Sequence, residues 1–236
     1  MQPITLERPA FTIQGALEGV RISIALLIAI FSAGMVFGIL ARHAGMNLSE
    51  CTIMSAFVFA GAAQFASLDL WITPLPVLTI LIATFAINLR FMLMGAAIRP
   101  YYSNLKLHQT YTSVFFMGDE SWALAIREFS AGGRNAALMI GSGLAQWFAW
   151  VSSTAFGYAL SSSIQNPSQW GLDFVFTAAF AAILAGMFKS KSDLLPWGIA
   201  ATVALTLSHF LPGKWYILGG GIAGTLVGYL RDSDEI

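Results

Sequence analysis

Three charged residues lie in stretches of the chain that are otherwise apolar. Arg90 is in the middle of the stretch 77–98, and Asp119 and Glu120 are adjacent in the stretch 110–126. An ionisable side chain inside a bilayer normally faces the interior of a helix bundle, where it pairs with an opposite charge or lines a solute pathway. We therefore expect Arg90 to pair with one of the two acids, in a cavity that water or a cation also reaches.

Two structural roles would also account for the acids. In the first, the ion pair only fixes the order of the helices. In the second, the segment is broken at Gly118, and Asp119 or Ser121 caps the start of a new helix, since short polar side chains accept hydrogen bonds from the unpaired N–H groups there.

A second polar position lies in the run Ala60-Gly61-Ala62-Ala63-Gln64. A glycine followed by small residues allows a helix to unwind, and broken membrane helices hold the charged ends of substrates in many transporters. Backbone near Gly61 and the amide of Gln64 are therefore candidate binding groups. Helix packing through small residues and one interhelical hydrogen bond explains the same run equally well.

Asn88 and Trp147 complete the candidate substrate-binding residues. Asn88 is two positions from Arg90, about 200° around a helix, so at most one of the two faces a site unless the helix bends. Trp147 and Trp150 share a helix face and could line an apolar pocket. The alternative for this aromatic face is contact with the protein core or with lipid.

The composition determines the environment of these residues. The chain has 236 residues, of which 57% are hydrophobic and 10% charged, whereas a soluble domain averages about 25% charged residues. Lipid must therefore cover much of its surface. The 12 basic and 12 acidic residues cancel, so the chain lacks the basic surface of a nucleic-acid-binding protein.

About 20 apolar residues cross a bilayer as a helix, and this sequence contains eight apolar segments. They are residues 20–41, 51–71, 77–98, 110–126, 137–161, 172–188, 194–211 and 215–230. We expect an all-α polytopic membrane helix bundle with seven to eight spans, of which one or two segments are broken or re-entrant. A single transmembrane domain, 20–230, would follow an N-terminal cytoplasmic or interfacial segment, 1–19, and precede a short tail, 231–236.

Similar short runs recur about 118 residues apart and indicate two repeated halves, 20–126 and 137–230. The clearest pair is Val36-Phe37-Gly38 with Ala155-Phe156-Gly157. Internal repeats are common in transporters, in a parallel or an inverted form, and the sequence leaves both open. With the N-terminus inside and every segment crossing, seven basic residues would face the cytoplasm and four the outside, which favours a cytoplasmic N-terminus. The loop between Arg99 and His108 is on the minority side in this topology.

Enzyme and metal signatures are absent from the sequence. One cysteine, Cys51, and three scattered histidines give no metal cluster, and neither H-E-x-x-H nor G-x-S-x-G occurs. We therefore expect a protein that is not an enzyme and that uses no metal or cofactor.

Several motifs occur in order from about Gly15 to the last segment. They are Gly38, Gly45-Met46-Asn47-Leu48-Ser49-Glu50, Phe59-Ala60-Gly61-Ala62-Ala63-Gln64-Phe65, Asn88-Leu89-Arg90, Gly118-Asp119-Glu120-Ser121 and Trp147 with Trp150. Together they resemble the AzlC family, the large subunits of bacterial branched-chain amino acid exporters. The resemblance implies secondary efflux of branched-chain amino acids across the inner (cytoplasmic) membrane, with a small AzlD-type membrane subunit as partner.

The residue roles are our own inference within that resemblance. Gln64 and the backbone near Gly61 would bind the polar end of the amino acid, and Arg90 its carboxylate. Asp119 and Glu120 would hold the ammonium group or carry a coupling proton. A channel-like or purely structural membrane subunit, and an exporter of another small apolar solute, are the alternatives.

Overall fold

The computed structural model describes residues 9–163, 190–210 and 215–232, together with the single positions 169, 171, 174, 181 and 188. These residues form nine α-helices and no β-strand. The predicted all-α class is confirmed. Most of the predicted segment 172–188 lies outside the described residues, as do residues 1–8 and the last four of the tail.

The helices vary widely in length. They are α1 (Ile13–His43), α2 (Leu48–Val58), α3 (Gly61–Leu68), α4 (Val77–Tyr102), α5 (Leu107–Phe115), α6 (Asp119–Ser130), α7 (Ala137–Leu160), α8 (Leu194–Phe210) and α9 (Trp215–Asp232). Two described helices, α1 and α4, are long and apolar enough to cross a membrane. At 1.5 Å per residue, even α4 is about 39 Å long, which exceeds the hydrocarbon thickness of about 30 Å.

Helices α1 and α7 run parallel and in close contact along their length. Gly19 lies against Leu138 near their starts, and Gly38 lies against Thr154 near their ends. A Cβ atom at Gly38 would be 2.1 Å from the Thr154 carbonyl oxygen. The two backbones therefore touch directly, as small residues allow in membrane helix pairs.

The second predicted segment forms a hairpin of two short helices. Gln64 Nε2 in α3 donates a hydrogen bond of 3.0 Å to Ser55 Oγ in α2, and Ser67 Oγ lies 3.8 Å from Met54 Sδ. Residues nine apart in a continuous helix would be about 13 Å apart along its axis. The chain therefore doubles back, at a turn in which Phe59 ends α2 in the left-handed conformation, with φ 41° and ψ 43°.

The fourth predicted segment doubles back in the same way. Trp122 Nε1 in α6 donates to the Met94 carbonyl in α4, and Phe129 stacks on Tyr101 further along both helices. Helix α6 therefore runs beside the second half of α4, in the same direction. Because α5 starts just after α4 ends, α5 must carry the chain back to the middle of α4, and the turn before α6 contains Gly118.

The two hairpins, α2–α3 and α5–α6, enter the helix bundle from opposite ends. Tyr102, the last residue of α4, donates a hydrogen bond to the Ala136 carbonyl directly before α7, so α4 ends on the side where α7, and with it α1, begins. The α2–α3 hairpin follows the other end of α1. One or two broken segments were expected, and within residues 9–163 the second and the fourth segments are each broken into a hairpin.

The predicted repeat stays a prediction, because much of its second half lies outside the described residues. Its first helices, α1 and α7, are parallel, which favours the parallel form. Gly38 and Gly157, equivalent in the proposed repeat, also make equivalent contacts: a Cβ at Gly157 would be 2.0 Å from the Met35 carbonyl oxygen, and one at Gly38 would approach that of Thr154.

Candidate functional site

A cavity of about 250 Å³ lies where the tips of the two hairpins meet. Its lining includes Ala29, which is the seventeenth of 31 residues in α1, and Arg90, the fourteenth of 26 in α4. From α7 it includes Gln146, the tenth of 24. All three positions are near the midpoints of long helices. The cavity is therefore near the middle of the bundle, at the depth where many transporters bind their substrates.

The expected ion pair is confirmed for Asp119. Its Oδ2 lies 2.9 Å from Nη2 of Arg90, and the Arg90 guanidinium is also 5.3 Å from the ring centroid of Phe91. The side chains of Arg90 and Asp119 are 31% and 45% exposed, so both remain open to the cavity. The pair joins the middle of α4 to the first residue of α6.

Glu120 leaves the cavity with an excess negative charge. Its side chain lines the same space and makes no ion pair with any residue that the structure describes. With Arg90 balanced by Asp119, the formal charge of this wall is −1. Both acids lie in the first turn of α6, where the helix dipole stabilises carboxylates, and together they can bind a cationic group.

A second part of the cavity wall contains the start of α3. Gly61 and Ala62 line the cavity, and α3 has neither a capping side-chain hydrogen bond nor an acid in its first turn. A helix N-terminus of this kind attracts an anionic group through its unpaired N–H donors. A Cβ at Gly61 would lie 3.0 Å from Cη2 of Trp150, so the absence of a side chain lets the indole reach this turn.

Gln64 lies behind the cavity wall rather than in it. Its side chain is 1% exposed; Nε2 donates to Ser55 Oγ, which hydrogen-bonds to Thr154, and Oε1 accepts a bond of 2.9 Å from Trp150 Nε1. Trp150 does line the cavity, and Phe65 packs against it edge-on. Gln64 thus orients a cavity wall, and its direct binding of substrate stays a prediction.

Asn88 is a candidate binding residue outside the cavity lining. It does not line the cavity, whereas Arg90 does, in agreement with the expectation that at most one of the two faces it. The Oδ1 atom of Asn88 is buried and has no hydrogen-bond partner in the described ranges.

Trp147 lies outside the cavity lining and contacts both hairpins. Its Nε1 donates a hydrogen bond of 2.8 Å to the Ala56 carbonyl in α2. Its ring packs edge-on against Phe116, in the turn between α5 and α6, at a centroid distance of 5.7 Å. The tryptophan of this face that lines the cavity is Trp150.

Gln146 is a cavity residue that the sequence analysis did not select. It is 1% exposed and lines the cavity, and neither Oε1 nor Nε2 has a hydrogen-bond partner among the residues that the structure describes. The signal was available, because Gln146 is the one amide side chain in the apolar segment 137–161. The reasoning that selected Gln64 applies to it equally.

These features define a class of protein. A helical membrane bundle in which two broken helices meet at a central, partly charged cavity is typical of secondary transporters. The sequence pattern of the AzlC protein family matches residues 25–164, which is more than half of the chain. The chain therefore belongs to the AzlC family, and its role is in membrane transport.

Individual relatives agree with this assignment. The chain is 28% identical to the inner membrane protein YgaZ of Escherichia coli K12, over 91% of this chain and 90% of that protein. It is 25% identical to the branched-chain amino acid transport protein AzlC of Bacillus subtilis 168, over 79% of this chain and 76% of that protein. An uncharacterized membrane protein of Archaeoglobus fulgidus is 28% identical over 74% of this chain and 76% of its own length. No solved structure matches.

Proposed function

We propose that this protein exports branched-chain and similar neutral amino acids across the cytoplasmic membrane by secondary active transport. It would be a multi-pass inner membrane protein and the large subunit of an exporter that also contains a small AzlD-type subunit. The relative from Bacillus subtilis, named for branched-chain amino acid transport, supports the substrate class.

The observation that carries the proposal is the pairing of opposite charge preferences in one small cavity. Acids at the start of α6 suit an ammonium group, and the acid-free start of α3 suits a carboxylate. Ile30, Phe59 and Phe65 supply apolar wall in the same cavity. A small zwitterion with an apolar side chain fits this distribution of charge.

Asp119 and Glu120 also offer a route to proton coupling. Protonation of either carboxylate removes one of the negative charges that would hold the substrate ammonium group. A proton that enters from outside would therefore weaken substrate binding there, and loss of that proton to the cytoplasm would restore it. This order of events couples proton entry to amino acid export.

Counterflow in proteoliposomes tests transport directly. The large and small subunits are reconstituted together, and unlabelled leucine inside should accelerate the uptake of labelled leucine. A channel or a structural subunit would show no trans-stimulation, and competition by a panel of amino acids and other small solutes would identify a different substrate.

The coupling role is tested with Asp119→Asn and Glu120→Gln. We expect each variant to lose acceleration of transport by a pH gradient, because the exchangeable proton has been removed. Glu18→Gln is the matched control, since Glu18 is an exposed acid in α1 that pairs with Arg21 far from the cavity. Unchanged pH dependence in both cavity variants, at normal membrane insertion, would show that these acids do not carry the proton.

A further inference from the structure

We propose that Gln146 is the group that recognises the α-amino and α-carboxyl ends of the transported amino acid together. This inference rests on the proposed function, because it concerns the same cavity. It adds the residue that would bind both charged groups of the zwitterionic substrate. Its basis is one side chain with unused hydrogen-bonding capacity, in a cavity that the N-termini of α3 and α6 also line.

The first step is the state of the Gln146 amide. A buried polar group without a partner is destabilising, and most such groups in native proteins are hydrogen-bonded. Gln146 is 1% exposed, and within the described part of the chain neither the oxygen nor the nitrogen of its amide has a partner. Gln64, with the same burial, has both amide atoms bonded. The amide of Gln146 is therefore available for a ligand in the cavity that it lines.

The second step is where the amide lies. Its Oε1 is 3.8 Å from the position that a Cβ would take at Gly118, the residue before the two acids of α6. Gly118 itself lines the cavity, so this oxygen lies next to a part of the wall that carries no side chain. An ammonium group held by Asp119 or Glu120 would thus have Oε1 as a further acceptor.

The third step is the two-sided chemistry of an amide. Glutamine has a carbonyl acceptor and two N–H donors, so Oε1 can accept from the ammonium group while Nε2 donates to the carboxylate. The start of α3, with no acid in its first turn, would supply further donors to that carboxylate. A lysine or an acid at this position would serve only one of the two ends.

The consequence is selectivity for free α-amino acids as a class. The amide contacts groups that all of them share, and the cavity of about 250 Å³ is smaller than pockets that hold drug-sized ligands. Side-chain preference would then depend on the apolar wall. Removal of either charged end should weaken binding even when the side chain is unchanged.

The experiment measures binding to the purified complex of both subunits by thermal shift and by labelled leucine. The probes are leucine, leucinamide, which lacks the carboxylate, and 4-methylpentanoate, which lacks the ammonium group. The variants are Gln146→Leu and, as a contrast, Gln64→Leu. Wild-type protein should bind both analogues about tenfold to a hundredfold more weakly than leucine, as expected for lost hydrogen bonds to charged groups.

We expect Gln146→Leu to bind leucine more weakly than wild type by a similar factor. The further loss of affinity from leucine to either analogue should be much smaller in this variant than in wild type. Its melting temperature without substrate should equal or exceed that of wild type, because an apolar side chain replaces an unsatisfied amide. Gln64→Leu should lower the melting temperature, because it leaves Ser55 and Trp150 without their partners. This contrast separates a binding role from a structural one.

Three results would overturn the inference. The first is that Gln146→Leu binds leucine as tightly as wild type and still shows counterflow. The amide would then bind water and not substrate, and the proposed function would stand. A melting temperature that falls as far as in Gln64→Leu would assign Gln146 a structural role. Wild-type complex that neither binds nor exchanges any amino acid would overturn the proposed function and the inference with it.

Discussion

Arg90 and Asp119 form the central ion pair of the cavity, and the charge of each side chain is compensated by that of the other. Removal of one partner leaves a charge in an apolar environment, whereas removal of both can be nearly neutral. Because both side chains are partly exposed, solvent screens the pair and reduces its contribution to stability.

We predict that Arg90→Gln and Asp119→Asn each lower the free energy of unfolding by about 1–2 kcal/mol. The double variant should recover part of this loss but none of the transport activity. Thermal stability of the four proteins in detergent gives the coupling energy as a double-mutant cycle. Strictly additive losses would mean that the two charges do not stabilise each other.

The sequence identified the charged residues of this site because a charge inside an apolar stretch is visible without a structure. It could not separate Trp147 from Trp150, which share a helix face and differ only in depth. Which of the two tryptophans lines the cavity depends on the level along α7 at which the α2–α3 hairpin turns. That level depends on tertiary contacts such as the hydrogen bond between Ser55 and Gln64.

At the scale of elements, both hairpins are broken helices whose breaks were visible as small residues near Gly61 and Gly118. Local sequence does not show whether a half-helix continues across the membrane or reverses, since both paths need the same flexible turn. Partners outside each hairpin also stabilise the reversal: α7 contacts the α2–α3 hairpin through Trp147, and α4 contacts α6 through the Met94 carbonyl.

Both hairpins pack against the α1–α7 pair, and glycine residues allow these two helices to approach each other closely. We predict that Gly38→Ala lowers the free energy of unfolding by about 1–3 kcal/mol, as overpacking does elsewhere, because its Cβ would meet the Thr154 carbonyl. Gly95→Ala in α4 is the control, since a Cβ there meets nothing within 4 Å. That variant should be neutral, or up to about 1 kcal/mol more stable.

Melting curves of the two purified variants would measure the difference. Equal stability of Gly38→Ala and Gly95→Ala would mean that the α1–α7 contact adjusts without cost.

At the scale of the whole molecule, the re-entrant hairpins change the side on which basic residues lie. The α4–α5 connection, with Arg99 and Lys106 beside it, moves to the side of the N-terminus. Outside the cavity, five basic residues of the stretch 9–163 are then on that side: Arg21, Arg99, Lys106, Arg127 and Arg134. Arg42 is the one on the other. Because cytoplasmic loops are enriched in lysine and arginine, this arrangement favours a cytoplasmic N-terminus more clearly than a topology in which every segment crosses.

The final prediction concerns this topology and uses the chain's single cysteine, Cys51, which is buried. In a Cys51→Ser background, we expect Ser49→Cys and Ile72→Cys to react with a membrane-impermeant maleimide in intact cells. Asn104→Cys and Ala131→Cys should react only in inverted vesicles. All four positions are exposed, and each lies in or beside a connection at one end of a hairpin. If Ile72 and Asn104 instead exchanged sides while Ser49 and Ala131 did not, both hairpins would have to cross the membrane. The two hairpin tips would then no longer meet at one depth, and the central cavity would lose its walls.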